Sequence, residues 1–120
     1  MPTILDTPDE FLKQLDRLER KYHNILPEFH KLAIQLQNDE RPGDLIPHVG
    51  YDVYKVRLKN PSAQRGKSGG LRAIYYARLS NRVMLLTIYS KTQQLDISPN
   101  EIRRLIEKYL ADEADDNSSD

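Results

Sequence analysis

Cysteine is absent from the 120 residues, which excludes a disulfide framework, a thiolate nucleophile and a Cys-ligated metal site. A cysteine-free chain also fits a reducing compartment, and a cytoplasmic location is expected. Long apolar runs are missing too. The longest strongly apolar stretch, Val83-Met84-Leu85-Leu86 continuing through Thr87 to Ile88, is far too short to span a bilayer. The opening Met1-Pro2-Thr3-Ile4-Leu5-Asp6 shows no basic start followed by an apolar stretch, so no signal peptide is expected. Histidine is scarce, with His23, His30 and His48 only. No pair has the helical spacing of metal ligands and no carboxylate cluster accompanies them, so no metal site is expected. Surface or turn positions are their ordinary reading, and His48 alone merits testing as a catalytic group.

The most informative absence is local. The 18 basic and 18 acidic residues cancel overall, yet no Asp or Glu occurs between Lys55 and Lys91. The same stretch holds nine basic residues: Lys55, Arg57, Lys59, Arg65, Lys67, Arg72, Arg78, Arg82 and Lys91. Segregation of this kind within one small domain points to a polyanionic partner, against the plainer reading of a solvated basic face.

What is present reads as a short mixed fold. Thr3-Ile4-Leu5 is a strand candidate. Thr7-Pro8-Asp9-Glu10 reads as a helix start, with Thr7 as cap, Pro8 at the first helical position and Glu10 closing a capping box. Phe11, Leu15, Leu18 and Tyr22 then form the apolar stripe of an amphipathic helix, opposite Lys13, Asp16, Arg17 and Arg20. His23-Asn24 interrupts the pattern. A second helix follows, with stripe Ile25, Phe29, Leu32 and Leu36 and with Asn24 as cap. The short break predicts an antiparallel hairpin of the two helices, and Pro42-Gly43 marks a turn.

After a loop near residues 46–50 the period changes to two. In Asp52 to Leu58, Val53, Lys55 and Arg57 point to one side, and Tyr54, Val56 and Leu58 to the other. Gly66-Lys67-Ser68-Gly69-Gly70 is a glycine-rich turn; it lacks phosphate-loop spacing and precedes a strand rather than a helix. Strands over Leu71–Leu79 and Val83–Tyr89 follow, joined at a hairpin tip of Ser80-Asn81. Tyr75 and Tyr76, being adjacent, face opposite ways. Ser98-Pro99-Asn100-Glu101 is a second capping box opening a last helix, with Ile102, Leu105, Ile106 and Tyr109 inward. The expected architecture is α+β: an N-terminal helical hairpin packed on a small twisted, mainly antiparallel sheet, with a C-terminal helix. Helices on one side of such a sheet leave all or part of the other face free. Residues 1–110 read as a single domain, and residues 111–120, with five acids and no large apolar residue, as a disordered acidic tail.

Several of these segments together resemble a known family. They are Tyr54-Lys55-Val56-Arg57-Leu58, Gly66-Lys67-Ser68-Gly69-Gly70-Leu71-Arg72-Ala73-Ile74-Tyr75-Tyr76, Leu86-Thr87-Ile88-Tyr89-Ser90-Lys91 and Asp96-Ile97-Ser98. In this order and spacing they resemble the RelE/HigB branch of the RelE/ParE toxin superfamily, over about residues 8–110. The resemblance implies the toxin of a type II toxin–antitoxin pair. It implies an endoribonuclease that enters the ribosomal A site and cuts messenger RNA without a metal or other cofactor, so that translation and growth stop. Its partners would be a cognate antitoxin, the ribosome with its RNA, and mRNA, with no membrane involved.

In the implied reaction the ribose 2′-hydroxyl attacks the adjacent phosphodiester, leaving a 2′,3′-cyclic phosphate and a free 5′-hydroxyl. The enzyme supplies proton transfers and charge stabilisation rather than a nucleophile. Lys55 and Arg57 share a sheet face, and repulsion between two cations makes a neutral amine at Lys55 more accessible. Lys55 is thus a candidate base or electrostatic stabiliser. Arg57 or Arg72 suits the phosphate, since a guanidinium fork matches two phosphoryl oxygens, and the resemblance favours Arg72. Tyr89 is a candidate for stacking on a base, and Lys91 for protonating the leaving group or contacting phosphate. Lys67 and the Gly69-Gly70 turn can approach the RNA backbone, and Arg65 lies in the same basic segment. Lys59, Arg78 and Arg82 are candidate ribosomal-RNA contacts or plain solubility charges. Several relatives carry a His beside the Tyr of the last strand, whereas Ser90 and Lys91 follow Tyr89 here, so the acid and base assignments stay open. Asp52 and Asp96 read as salt-bridge or capping residues. A gyrase poison of the ParE type and a non-catalytic nucleic-acid-binding module are the competing functions. An acidic or amphipathic helix of the antitoxin suits the basic patch.

Overall fold

The computed structural model describes residues 2–61, 70–79, 81–94 and 96–118. Eight elements follow in chain order: β1 (Ile4–Asp6), α1 (Asp9–Lys21), α2 (Leu26–Gln37), β2 (Asp44–Leu45), β3 (Val53–Leu58), β4 (Leu71–Leu79), β5 (Arg82–Ser90) and α3 (Pro99–Ser118). The strands form one sheet in the order β1-β5-β4-β3-β2. All neighbours are antiparallel except β1, which runs parallel to β5. The α+β architecture, the helical pair and the C-terminal helix agree with the sequence pattern.

Alternation on β3 and β4 divides the core into two layers. Tyr54, Val56, Leu58, Leu71, Ala73 and Tyr75 pack against Phe11, Leu15 and Leu18 of α1 and Phe29, Leu32 and Leu36 of α2. The Phe11 and Phe29 rings lie 5.7 Å apart and join the two helices. Burying one such side chain stabilises the fold by about 1.5–3 kcal/mol. The opposite layer joins Val53, Ile74, Met84, Leu86 and Tyr89 to Ile102, Ile106 and Tyr109 of α3. Helices therefore cover both faces of the sheet, not one. Beyond the start of α3 the second face carries Lys55 and Arg57 of β3 and Arg72 of β4 in place of apolar side chains.

Local signals were obeyed unevenly. At the start of α3 the Ser98 hydroxyl accepts the Glu101 amide at 3.2 Å, as a capping box requires. At α1 Thr7 does not cap: Pro8 stands at the N-cap position, without a side-chain hydrogen bond, and its carbonyl takes the Leu12 amide. Glu10 turns instead to Lys108 of α3, a charged partner. Asn24 does not cap α2. It adopts φ 68°, a left-handed conformation that Asn tolerates better than most residues, and Ile25 takes the N-cap place. The two-residue strand β2 was not foreseen, because its side chains are exposed and give no alternation.

Two further expectations are corrected or fall outside view. Residues 111–118, read as part of a disordered acidic tail, continue α3. Glu113 on that extension pairs with Arg78 at 2.9 Å, a specific anchor that composition cannot register. Ser80 of the hairpin tip, most of the glycine-rich turn (residues 66–69) and residues 119–120 lie outside the described residues. No helix among the described residues is long and apolar enough to cross a membrane.

Candidate nucleic-acid cleavage site

Strand register sets out the site. Arg57 on β3 is the partner of Arg72 on β4, and Arg72 that of Tyr89 on β5. The three therefore form a row across the sheet on the α3 face. Lys55 lies two residues back along β3, so it points the same way. Lys91 lies two beyond Tyr89, where its amide donates to the Gly70 carbonyl at 3.2 Å and extends the ladder past β5. All five residues assigned a catalytic role, Lys55, Arg57, Arg72, Tyr89 and Lys91, line one cleft of about 730 Å³. Gly43, Asp44 and Asp96 complete it.

Gly43 closes the β2 side for a steric reason. Its φ is 95°, and a Cβ there would lie 2.4 Å from the Lys55 carbonyl oxygen. Only glycine lets this turn lie against β3 beside the cleft. The preceding Pro42 carbonyl accepts the hydroxyl of fully buried Tyr75 at 2.5 Å, pinning the same turn to β4.

The cleft holds four cationic side chains and two carboxylates. Arg72 is the most unusual. It is only 5 % exposed, and its guanidinium donates to the Leu71 carbonyl at 3.2 Å. Among the described residues it has no carboxylate partner. A cation taken from water without an anion is costly, so this guanidinium is a ready receptor for an anionic ligand. Arg57 and Lys91 are exposed and likewise form no ion pair among the described residues. Lys55 Nζ lies 3.6 Å from Asp96 Oδ1. A carboxylate from outside the acid-free stretch thus stands beside the lysine that shares its sheet face with Arg57.

Tyr89 is corrected as well. Its ring is 6 % exposed and belongs to the α3-side core, so it offers no face to a nucleobase. Its hydroxyl reaches the cleft and donates to Asp96 Oδ1 at 3.4 Å. Burial, then the negative charge of Asp96 and the hydrogen bond to it, push the phenol up to about 12, so it remains an O–H donor at neutral pH.

The remaining candidates disperse. Lys59 is exposed beyond the end of β3 and does not line the cleft, while Gly70 stands beside it at the start of β4. Arg65, Lys67 and Gly69 lie outside the described residues. Arg78 and Arg82 sit at the other end of the sheet and are already paired. Asp6 accepts Arg78 Nη1, Arg82 Nε and Arg82 Nη2, each at 2.9 Å, so they are not free phosphate contacts. Tyr75 and Tyr76 do face opposite layers, Tyr75 stacked on Tyr54 and Tyr76 edge-on to Tyr51. No histidine lines the cleft. His48 adopts φ 67° in the loop before β3, and its carbonyl is held by Arg103. Among the described residues no group of three or more His, Cys, Asp or Glu is placed to hold a metal ion.

A shared strand end, three basic side chains around a buried arginine with no carboxylate partner among the described residues, and a protonated phenol make a cationic cleft. The family model described as the RelE toxin of the RelE/RelB toxin–antitoxin system matches residues 13–118. The chain belongs to the RelE toxin family. It is thus the toxin of a toxin–antitoxin system, and toxins of this family pair with an antitoxin. The match runs through the acidic end of α3 and so extends past residue 110, where the resemblance in sequence motifs ends.

Proposed function

We propose that this RelE toxin is a ribosome-dependent endoribonuclease of the HigB-like kind. It acts in the cytoplasm on messenger RNA in the ribosomal A site, through attack of the 2′-hydroxyl on the adjacent phosphodiester. The observation that carries the reading is Arg72, a nearly buried guanidinium facing the cleft with no carboxylate partner among the described residues. Arg72 binds the non-bridging phosphoryl oxygens, whose added charge in the transition state it meets with a preorganised fork. Arg57, its register partner, and Lys91, past the end of β5, hold the flanking backbone. Lys55 lies beside the phosphate as base or charge stabiliser. Lys91 protonates the leaving 5′-oxygen or contacts phosphate, and the Tyr89 hydroxyl lines the same cleft. The three cations around Arg72 supply the charge stabilisation, and the reading assigns no role to a metal or cofactor.

Inducible expression in growing bacteria, with primer extension across an abundant transcript, tests this reading. New 5′ ends inside translated codons are expected. They disappear in Arg72→Ala and when translation initiation is blocked. Growth arrest with intact transcripts would refute the reading and favour a gyrase poison. No growth effect would leave a binding module.

A further inference from the structure

Asp44 forms no ion pair among the described residues, whereas Asp96, the other carboxylate of the cleft, pairs with one of its cations, Lys55. Three contacts of Asp96 converge on a single oxygen. Oδ1 accepts the Ile97 amide at 2.9 Å and the Tyr89 hydroxyl at 3.4 Å, and stands 3.6 Å from Lys55 Nζ. The first contact is local, the second spans seven residues from the end of β5, and the third reaches across to β3. Gln94 donates to the Asp96 carbonyl at 3.2 Å, and Ser98 caps α3 two residues later. The main chain thus presents this carboxylate to the cleft, although its side chain is 63 % exposed and would be well hydrated pointing elsewhere.

We infer that Asp96 is a positioning residue, whose Oδ1 fixes the Tyr89 hydroxyl and the Lys55 amine beside the phosphate-binding guanidinium of Arg72. The inference rests on the ribonuclease reading above. Two features give the contact its use. A lysine stem has several rotatable bonds, and Lys55 shares its face with Arg57, Arg72 and Lys91, which push its charge away. A nearby anion counters that push. The hydroxyl of Tyr89 is a free rotor on a buried ring, and an acceptor on the cleft side sets its direction. The same negative charge opposes binding of an anionic backbone. Asp96 therefore favours the chemical step while giving nothing to substrate affinity, which a residue serving only the fold would not do.

The test compares wild type with Asp96→Asn, which keeps size and acceptor oxygen but removes the charge. Cleavage of the A-site codon is followed under single-turnover conditions on programmed ribosomes. The rate at saturation is expected to fall roughly tenfold, the ordinary worth of one hydrogen bond to a charged group, while the half-saturating ribosome concentration stays level or falls. A rate within twofold of wild type, or a loss expressed wholly as weaker binding, would overturn the inference. In parallel, the ¹³Cζ resonance of Tyr89, assigned with Tyr89→Phe, is expected to move in Asp96→Asn in the isolated toxin. An unmoved resonance overturns the contact whatever the activity. If wild type itself does not cleave, the ribonuclease reading fails, and the inference falls with it, while the resonance separately records whether Asp96 holds the hydroxyl.

Discussion

Replacing Arg72 with methionine should make the toxin more stable and less active at once. The guanidinium is 5 % exposed, donates to one backbone carbonyl and has no carboxylate partner among the described residues. Its neighbours in register, Arg57 and Tyr89, bring a second cation and a neutral phenol. The folded state therefore bears the desolvation of a charge with little return, and an unbranched apolar side chain of similar length removes that cost. Replacement of buried charged groups by apolar ones of similar volume stabilises proteins by about 1–4 kcal/mol. The cleft hydrates part of this guanidinium, so the lower half of that range applies, about 1–2 kcal/mol. For a chain of this size the midpoint should rise by about 3–8 °C in thermal unfolding followed by circular dichroism. Cleavage should fall by about 10²–10³, as when a preorganised donor to a developing oxyanion is removed. Inorganic phosphate should raise the melting temperature of wild type and leave that of Arg72→Met unchanged. A variant melting several degrees below wild type would refute the reasoning, since Arg72 would then hold the fold together rather than await an anion.

Other consequences follow from single contacts. Asp6→Asn leaves Arg78 and Arg82 with a weaker acceptor at a site where the carboxylate is 14 % exposed; urea unfolding should show a loss of about 1–3 kcal/mol, with cleavage per folded molecule unchanged. Tyr75→Phe removes the donor to the Pro42 carbonyl and should cost about 1–2 kcal/mol, measured the same way, with some loss of activity because the adjacent Gly43 turn borders the cleft. Burial first, then Asp96 for Tyr89 and Glu10 for Tyr109, pushes both phenols up to about 12. Folded values above the unfolded value of about 10 mean that stability is intact below pH 10 and lost as pH rises towards 12. Denaturant midpoints measured across that window should fall, less steeply in Tyr109→Phe. A flat profile would show that the phenols ionise as readily folded as unfolded.

The fold was legible where one physical signal acted alone. Alternation in β3 placed Lys55 and Arg57 on one face because successive side chains must point opposite ways, whereas Arg72 joins them only through the strand register. The Ser98 box was legible because its donor and acceptor lie three residues apart. Thr7 and Asn24 were misread because local capping chemistry competes with tertiary contacts that a local window does not contain: Glu10 is taken by Lys108, and Asn24 by a left-handed turn. The end of α3 was misread for the same reason, its anchor being Arg78, 35 residues away.

The basic stretch shows most plainly what a sequence reading separates and what it merges. Nine cations without an acid look like one surface along the chain, but the sheet sends those among the described residues to different ends. At one end Asp6, 72 and 76 residues distant from its partners, satisfies Arg78 and Arg82. At the other, Asp96 alone contacts the cluster among the described residues, through Lys55. Among the described residues Arg72 and Arg57 have no ion pair there, although Asp6 and Glu113 are engaged by Arg78 and Arg82 at the other end. A patch kept for solubility would be expected to expose its charges evenly. Here the most buried cation has no ion pair among the described residues, and it stands between Arg57 and Tyr89 in the row that lines the cleft. That inversion, cost placed where a phosphate would relieve it, is the physical argument for a binding and cleavage site over a solvated face.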